Sequence, residues 1–282
     1  MCALSGGPDS AALVALAVHG GLEVSAVHVH HGSRASADHD QAAAQSIADQ
    51  LGVTLRIERA DVAEGANFEA RARAVRHALT GGHAMFGHTA DDQAETALLG
   101  LLRGSGATGL AAIRPGHRHP ILALRRSETH ALCAELGLAT IVDPTNSDPR
   151  FLRNRVRNEL IPLLDDLADR DVTSLIVRTA DLLRTDDDLL DQMAGALDVT
   201  DARALDAAPL AIARRAVRAW LVRDGYPPDA AAVERVLAVA GGAMTACEVA
   251  GVGRVQRSAQ QLSITNLAAT PGDGEPQDPI AP

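Results

Sequence analysis

The chain has 282 residues, a length that suits one large domain or two smaller ones. Hydrophobic residues make up 46% of it but aromatic residues only 2%, so we expect a core of small aliphatic side chains. The formal net charge of −10 argues against a broad basic surface for nucleic acid, although a local arginine cluster would escape this count. All 26 basic residues are arginine, which excludes mechanisms that use a lysine of the chain itself.

The three cysteines, Cys2, Cys133 and Cys247, lie far apart and form no Cys-x-x-Cys pair. This spacing predicts a reducing compartment and argues against a thiolate zinc or iron–sulfur site. We find neither a secretory signal nor an apolar run long enough to span a membrane. A soluble, cytoplasmic protein without a membrane partner is therefore expected.

A short loop near the start of the chain carries the first functional signal: Ser5, Gly6, Gly7, Pro8, Asp9 and Ser10. It stands between an apolar run and a helical stretch, so the pattern predicts a strand, a tight turn and a helix start. The two glycines let a ligand approach the backbone, and free N–H groups at a helix start favour a phosphate. The serines can add hydroxyl donors, and Asp9 can cap the helix or hold a cation. A plain turn is the alternative.

Strands and helices alternate through the first part of the chain. We predict strands at residues 24–30, 53–57 and 84–87, and helices at residues 37–51 and 67–79. This order predicts an α/β fold with a mostly parallel sheet and helices on both faces. Ligands bind such sheets beyond the carboxyl ends of the strands, where the glycine loop and residues 28–31 and 88–92 would meet.

Three histidines at the end of the second predicted strand raise the question of a metal site. Alternation along a strand places His28 and His30 on one face and His31 at its end, so one ion would not bind all three. Core packing or loop hydrogen bonding is therefore the favoured interpretation.

An acidic helix start follows the third predicted strand. A spacing of three residues places Asp92 and Glu95 on one face, in the first turn of a helix that runs to Arg103. Helix capping accounts for the neighbouring Asp91. Two acids facing a polyphosphate site could bind Mg²⁺ or attract a cationic substrate. Arg103 and the glycines after it offer phosphate contacts, although a helix C-cap explains the glycines equally well.

Four arginines fall within eight residues, at positions 150, 153, 155 and 157. The pattern over residues 151–162 predicts a helix that Pro162 ends, with Arg153 and Arg157 on one face and Arg155 on another. An arginine-bearing helix beside a phosphate site is suited to neutralise charge in phosphoryl or adenylyl transfer.

The remaining pattern predicts mostly helix, followed by a small separate unit. We predict helices at 127–136, 172–197, 209–224 and 229–240, and strands at 139–142, 246–250, 254–257 and 261–265. The acidic triplet at 186–188 and the arginines at 214–218 are interpreted as solvated surface. The predicted organisation is a first domain at 1–165, a helical linker at 166–200, a small domain at 201–267 and a disordered tail at 268–282.

Longer motifs match one enzyme family in order and spacing. They are Asn67-Phe68-Glu69-Ala70-Arg71, Gly87-His88-Thr89-Ala90-Asp91-Asp92-Gln93-Ala94-Glu95-Thr96, Leu102-Arg103-Gly104-Ser105-Gly106 and Asp143-Pro144-Thr145-Asn146. With the glycine loop and the later arginines, they make residues 3–165 resemble the PP-loop (N-type) ATP pyrophosphatase superfamily and, within it, the bacterial tRNA(Ile)-lysidine synthetases. The unit at 201–267 resembles the tRNA-binding second domain of that family loosely.

The resemblance implies ATP-dependent conversion of the wobble cytidine of tRNA(Ile) with a CAU anticodon to lysidine. The base O2 would attack the α-phosphate of ATP and release pyrophosphate, and the amine of free L-lysine would then displace AMP. The resemblance also implies the site residues. They are an ATP-binding loop of Ser5, Gly6, Gly7, Pro8, Asp9 and Ser10; catalytic Asp9, Asp92, Glu95 and Arg155, or a neighbouring arginine of residues 150–157 in place of Arg155; phosphate or tRNA contacts by Arg103, Arg153 and Arg157; and Mg²⁺ held by Asp9 and Asp92.

Two other functions stay open at the level of sequence. One is another PP-loop adenylating enzyme that modifies tRNA, although the missing Cys-x-x-Cys pair counts against a thiolase. The other is a non-catalytic nucleotide- or RNA-binding protein of the same fold. Whether the chain forms a homodimer is also open.

Overall fold

A computed structural model describes residues 1–31, 37–60, 83–141, 148–223 and 228–265 of the chain. None of the helices in these ranges combines the length and the apolarity needed to cross a membrane. The chain divides into two compact units, Met1–Arg184 and Thr185–Pro282, and the division falls inside the predicted linker. The predicted helix at 67–79, the motif at 143–146 and the tail at 268–282 lie outside the described residues.

The first unit alternates strands and helices. Its elements are β1 (Cys2–Ala3), α1 (Pro8–His19), β2 (Ser25–His31), α2 (Ala37–Gln50), β3 (Thr54–Ala60), α3 (Ala90–Leu102), α4 (Ala107–Leu110), α5 (Arg126–Glu135), α6 (Leu152–Arg155), a π-helical turn (Val156–Leu160), α7 (Ile161–Ala168) and the first part of α8 (Thr173–Gly195). The four-residue α4 escaped prediction because so short a helix shows no periodicity.

The three strands form a parallel sheet in the order β1-β2-β3. Cys2 pairs with Ala26, and Ser25 pairs with Thr54. At the other edge of β1, Cys2 forms a single parallel bridge with Met85. The predicted α/β fold with a parallel sheet is confirmed, but the strand predicted at 84–87 is reduced to this one bridge.

Two histidines of β2, His28 and His30, are buried and hydrogen-bonded, which agrees with the favoured interpretation. His28 Nδ1 lies 2.9 Å from the Leu4 carbonyl oxygen, and His30 Nε2 lies 3.1 Å from Asp38 Oδ1. Burial lowers the pKa of His28, since it disfavours the charged imidazolium. These two histidines therefore hold neighbouring segments against the sheet.

Small side chains let α1 pack tightly inside the first unit. Its buried residues are Ser10, Ala11, Ala12, Leu13, Val14, Ala15 and Ala17. Because alanine has little bulk, neighbouring backbone approaches closely, and α1 contacts α5. The aliphatic core expected from the composition is present, and it fixes the start of α1.

The prediction that Pro162 ends a helix is wrong. The π-helical turn joins α6 to α7 without a break, and Pro162 lies in the first turn of α7. In a regular α-helix, proline lacks the N–H donor and its ring clashes with the carbonyl four residues before it. The wider π-helical turn immediately before Pro162 opens the hydrogen-bond ladder and accommodates the ring.

The strand predicted at 139–142 is absent over residues 139–141, the part that the structure describes. A single hydrogen bond takes its place, because the Ile141 N–H donates to the Gly6 carbonyl oxygen at 3.0 Å. The segment after α5 is thus attached to the glycine loop without continuing the sheet.

The second unit packs helices against an antiparallel sheet. Beyond the end of α8 it contains α9 (Ala202–Ala207), α10 (Leu210–Leu221), α11 (Ala230–Ala240), β4 (Ala246–Val249), β5 (Gly253–Ser258) and β6 (Gln261–Thr265). Its core includes Leu205, Val217, Val236 and Val255. The predicted helices and strands of this unit are confirmed, and α9, capped by Asp201, is an addition.

The surface interpretation of two charged runs in this unit is wrong for Asp187 and Arg215, whereas their charged neighbours Asp186, Asp188, Arg214 and Arg218 are exposed as expected. Asp187, in the middle of the acidic triplet, is 0% exposed, and its carboxylate lies 2.6 Å from the Arg215 guanidinium. Arg215 also contacts Asp191 at 2.7 Å. Burial of a charge is tolerated when an opposite charge accompanies it. A run of like charges in sequence does not reveal which member turns inward to meet its partner.

Candidate active site

The glycine loop turns tightly from β1 into α1. Gly6 adopts φ of +92°, a left-handed angle that favours glycine. The Ser5 N–H donates to Ser10 Oγ at 3.1 Å, and the Ser10 hydroxyl donates to the Gly7 carbonyl at 2.8 Å. The first N–H groups of a helix have no partner within it, so the start of α1 directs N–H donors and the positive end of its dipole toward the loop. This geometry suits a phosphate ligand.

Gly87 lets a neighbouring segment pass directly against the start of α1. A Cβ atom built on Gly87 would lie 2.5 Å from the Asp9 carbonyl oxygen and 2.9 Å from the Ser10 nitrogen. Non-bonded atoms do not approach so closely, so a larger residue would displace one backbone or the other. The position of the loop therefore depends on a glycine from a distant part of the sequence.

Asp9 extends from the first turn of α1 toward α5. Its Oδ1 accepts a hydrogen bond from the Thr129 hydroxyl, and its Oδ2 lies 3.5 Å from Arg126 Nε. Burial, together with the nearby Asp92 carboxylate, raises the pKa of Asp9, and the Thr129 hydrogen bond and the Arg126 charge offset only part of this increase. A further positive charge beside Asp9 would therefore stabilise its ionised form.

Asp92 and Glu95 lie on one face of α3, as their spacing predicts, and both are buried. Glu95 is 0% exposed and Asp92 is 7% exposed. Asp92 Oδ2 accepts hydrogen bonds from the Thr89 N–H at 2.9 Å and the Thr89 hydroxyl at 3.2 Å, which forms a capping box at the helix start. Only Oδ1 of Asp92 is left to face the side chains of other elements.

Three arginines surround these two acids. Arg126, at the start of α5, contacts Asp92 Oδ1 and Glu95 Oε1, each at 3.1 Å. Arg153 reaches Asp92 Oδ1 at 2.9 Å and Glu95 Oε2 at 2.8 Å. Arg157 contacts Glu95 Oε1 at 2.6 Å and Oε2 at 3.0 Å. We call the following residues the arginine–carboxylate cluster: Asp9, Asp92, Glu95, Arg126, Arg153 and Arg157.

The cluster is electrically balanced, with three carboxylates facing three guanidiniums. Burial raises the pKa of Asp92, but Arg153 and Arg126 outweigh it, so the pKa of Asp92 lies below its ordinary value. Burial lowers the pKa of Arg126 and Arg153, but the acids around them outweigh it and leave both raised. Pairing therefore favours the ionised forms of Asp92, Arg126 and Arg153 although these groups are partly withdrawn from water.

Replacing Asp92 by Asn is expected to remove part of the acid dependence of stability. The folded pKa of Asp92 is depressed, so its ionised form stabilises the native state above the unfolded pKa of about 3.9. That contribution is lost as the pH falls through the folded pKa. Urea unfolding across the acid range should show a steeper loss of stability below about pH 4 in the unaltered protein than in Asp92→Asn. Parallel curves would contradict the ionised assignment.

Two of the predicted arginines lie outside the cluster. Arg155 turns to the exposed face and contacts Glu159, with Nη2 and Oε2 3.0 Å apart. Arg103 is an exposed residue at the C-terminal end of α3. The catalytic role of Arg155 and the phosphate contact of Arg103 stay predictions that rest on the resemblance.

Sequence reasoning missed Arg126, the residue that joins the three carboxylates. Asp91 places it, because the Asp91 carboxylate accepts from the Arg126 N–H at 2.7 Å and from Arg125 Nε at 3.2 Å. Asp91 lies in the first turn of α3, as the capping interpretation expected, and its carboxylate also caps α5. The sequence did contain a signal for Arg126. Arg125 and Arg126 stand at a helix start, where the helix dipole disfavours cations, which indicates that nearby acids hold them there.

Of the two predicted Mg²⁺ ligands, Asp9 fits such an ion better. Both oxygens of Asp92 already accept hydrogen bonds at 2.9–3.1 Å. The contact between Asp9 Oδ2 and Arg126 Nε is longer, at 3.5 Å. Among the residues that the structure describes, no group of three or more His, Cys, Asp or Glu side chains is placed to hold a metal. Mg²⁺ in nucleotide sites uses one or two carboxylates together with phosphates and water. Asp9 is placed to supply one such carboxylate. Asp92 would first have to release one of the arginines that it contacts.

Comparison with known proteins matches both units. A family model described as a PP-loop domain matches residues 1–164, and one described as the TilS substrate binding domain matches residues 201–263. The tRNA(Ile)-lysidine synthase of Nocardia farcinica is 44% identical over 239 residues, covering 79% of this chain and 75% of that protein. The tRNA(Ile)-lysidine synthase of Rhodococcus erythropolis is 45% identical over 242 residues, covering 79% and 74%.

Similarity to a solved structure supports the fold. The U34-tRNA thiolase NcsA from Methanococcus maripaludis superposes with a TM-score of 0.51 at 17% identity, covering 65% of this chain and 70% of that one. At this identity the similarity shows the fold alone. With the match to the PP-loop domain, it confirms the predicted PP-loop, Rossmann-like architecture.

Proposed function

Because the chain belongs to the tRNA(Ile)-lysidine synthase family and so forms lysidine on tRNA(Ile) with ATP, we propose that both steps of that reaction take place at the arginine–carboxylate cluster. One observation carries this assignment. The Arg126 guanidinium approaches Asp9 of the glycine loop and also contacts Asp92 and Glu95. A single side chain therefore joins a phosphate-binding loop to a pair of acids suited to an amine.

In the first step, the cytidine O2 forms a bond to the α-phosphorus and the bond between the α- and β-phosphates breaks, so pyrophosphate leaves. The glycine loop and the N–H groups at the start of α1 are suited to receive the charge of the leaving group. The hydroxyls of Ser5 and Ser10 would first have to exchange the hydrogen bonds that they make within the loop. Mg²⁺ would neutralise phosphate charge beside Asp9, with Asp92 as a second ligand only after an arginine moves away. The chain itself supplies arginine as its other source of positive charge.

In the second step, the side-chain amine of free L-lysine forms a bond to the base carbon and passes a proton to water, while the bond from that carbon to the AMP oxygen breaks and AMP leaves. Asp92 and Glu95 are the acids that would hold the amine and orient it. Buried carboxylates attract a cation strongly because little water screens them. The absence of lysine from the chain means that no lysine side chain of the protein competes for this place.

We also propose that the two domains have different roles. Residues 1–165 would carry the reaction and residues 201–267 would bind tRNA, in keeping with the two matched family models. The substrates ATP and tRNA would place the enzyme in the cytoplasm. Light scattering of the purified chain would determine the number of subunits.

One incubation tests the proposal. Purified protein, ATP, Mg²⁺ and radiolabelled L-lysine are combined with tRNA(Ile) that carries a CAU anticodon, and label attached to RNA is counted. Incorporation that requires ATP and fails with a tRNA lacking that cytidine is expected. Pyrophosphate release without attachment of lysine would point to another adenylating reaction.

Alanine variants of the three arginines around α6 should separate their roles. Arg153→Ala and Arg157→Ala remove partners of Glu95 and are expected to lower the rate of lysine incorporation more than about tenfold. Arg155→Ala removes a contact with exposed Glu159 and is expected to lower it less than about threefold. If Arg155→Ala has the largest effect instead, the catalytic role implied by the resemblance belongs to Arg155.

A further inference from the structure

The two acids assigned to the lysine amine have no vacant hydrogen-bonding position. A carboxylate offers about four lone-pair positions. Glu95 Oε1 accepts from Arg126 and Arg157, and Glu95 Oε2 accepts from Arg153 and Arg157. Asp92 Oδ1 accepts from Arg126 and Arg153, and its Oδ2 accepts twice from Thr89. An incoming amine must therefore displace a donor that is already in place.

Arg126 is the donor whose removal would open a suitable place. Its Nη1 and Nη2 bridge Glu95 Oε1 and Asp92 Oδ1, each at 3.1 Å. Without it, one position opens on each acid, so a single ammonium could contact both. Arg153 and Arg157 would still pair with the acids and limit the cost of leaving buried charges unpaired. The Arg126 guanidinium thus occupies the position in which the substrate amine should bind.

Arg126 is also the arginine that faces the glycine loop. Its Nε lies 3.5 Å from Asp9 Oδ2, so the same side chain touches both halves of the site. Its backbone is held by Asp91, whereas its guanidinium turns about flexible side-chain bonds. Guanidinium groups bind phosphate through paired, charge-assisted hydrogen bonds. Triphosphate at the loop offers Arg126 a second set of anionic partners on the Asp9 side.

We propose that Arg126 is a positioning residue that makes the two substrates bind in order: ATP at the glycine loop draws its guanidinium away from Asp92 and Glu95, and the lysine amine takes the vacated place. The inference rests on the proposed function, since it concerns the same site. It predicts weak binding of lysine to the protein alone and tighter binding once a nucleotide is present. By linkage, lysine must tighten nucleotide binding by the same factor.

Equilibrium dialysis tests this coupling without catalysis. Radiolabelled L-lysine is dialysed against the full chain with Mg²⁺, in the absence and presence of α,β-methylene-ATP, whose α–β bridge is not cleaved. The analogue is expected to lower the Kd for lysine about tenfold or more, within the usual range of couplings between sites. Equal affinity in both states, or no detectable binding in either, overturns the proposal.

Two variants assign the coupling to Arg126. Arg126→Gln should bind lysine without nucleotide, and the analogue should change its Kd by less than about threefold. Arg125→Gln is the matched control, because it removes the adjacent charge, which contacts Asp91 and Asp171 instead, and it should keep the full coupling. Coupling that persists in Arg126→Gln overturns the role of this residue. If Arg126→Gln does not fold, the effect of the nucleotide on lysine binding by the unaltered protein still tests the proposal.

The outcome is separable from that of the proposed function. If the protein attaches lysine to tRNA but binds lysine independently of nucleotide, the enzyme assignment stands and the ordered exchange is wrong. If nucleotide tightens lysine binding but no label reaches tRNA(Ile), the exchange stands and the assigned reaction is wrong.

Discussion

Glu95→Gln is expected to abolish lysidine formation and to destabilise the protein. Glu95 is 0% exposed and pairs with Arg126, Arg153 and Arg157. A neutral amide of similar shape leaves three partly buried guanidiniums around a group that no longer carries charge. Removing one partner of a buried ion pair typically costs about 3–5 kcal/mol. Urea unfolding and the lysine-incorporation assay measure the two effects separately.

The matched control for this change is Glu159→Gln. Glu159 also pairs with an arginine, Arg155, but both side chains are about half exposed (54% and 55%). Exposed pairs of this kind contribute little, because water and salt screen them. Glu159→Gln should therefore leave the unfolding curve in place and retain lysine incorporation. A Glu95→Gln protein as stable as the unaltered chain would show that the cluster does not hold the first unit together.

Gly87→Ala is the second change with a large expected effect. The new Cβ would lie 2.5 Å from the Asp9 carbonyl oxygen, so the start of α1 and the segment of Gly87 must separate. Overpacking of this kind costs about 1–3 kcal/mol. Because the displaced backbone carries the glycine loop, the affinity for ATP should fall together with the stability, which isothermal titration with α,β-methylene-ATP measures.

Gly195→Ala provides the comparison for Gly87→Ala. A Cβ built on Gly195, at the end of α8, meets no atom of the described residues within 4 Å beyond its chain neighbours and the backbone of its own helix. Alanine favours helix over glycine by about 1 kcal/mol, so this substitution should leave stability unchanged or raise it. Loss of nucleotide affinity in Gly195→Ala, or its retention in Gly87→Ala, would contradict a steric origin of the effect.

Local patterns in the sequence determined much of the architecture. The alternation of apolar runs with helical stretches predicted the parallel sheet, and the spacing of Asp92 and Glu95 placed both on one face of α3. Such features depend on residues a few positions apart, which the backbone geometry alone relates. The longer motifs added the family, which the comparisons confirm.

Tertiary structure alone decided which groups meet. Arg126, Arg153 and Glu95 come from three different helices, and nothing in their local sequence states that their side chains converge. The burial of Asp187 against Arg215 was likewise hidden, because a buried charge is recognised by its distant partner and not by its neighbours in sequence. The passage of α7 through Pro162 depended on a π-helical turn that relieves a steric clash. The sequence by itself determined the secondary-structure elements, the glycine loop and the pair of acids. The packing of helices from separate stretches of the chain determined that arginines form ion pairs with those acids.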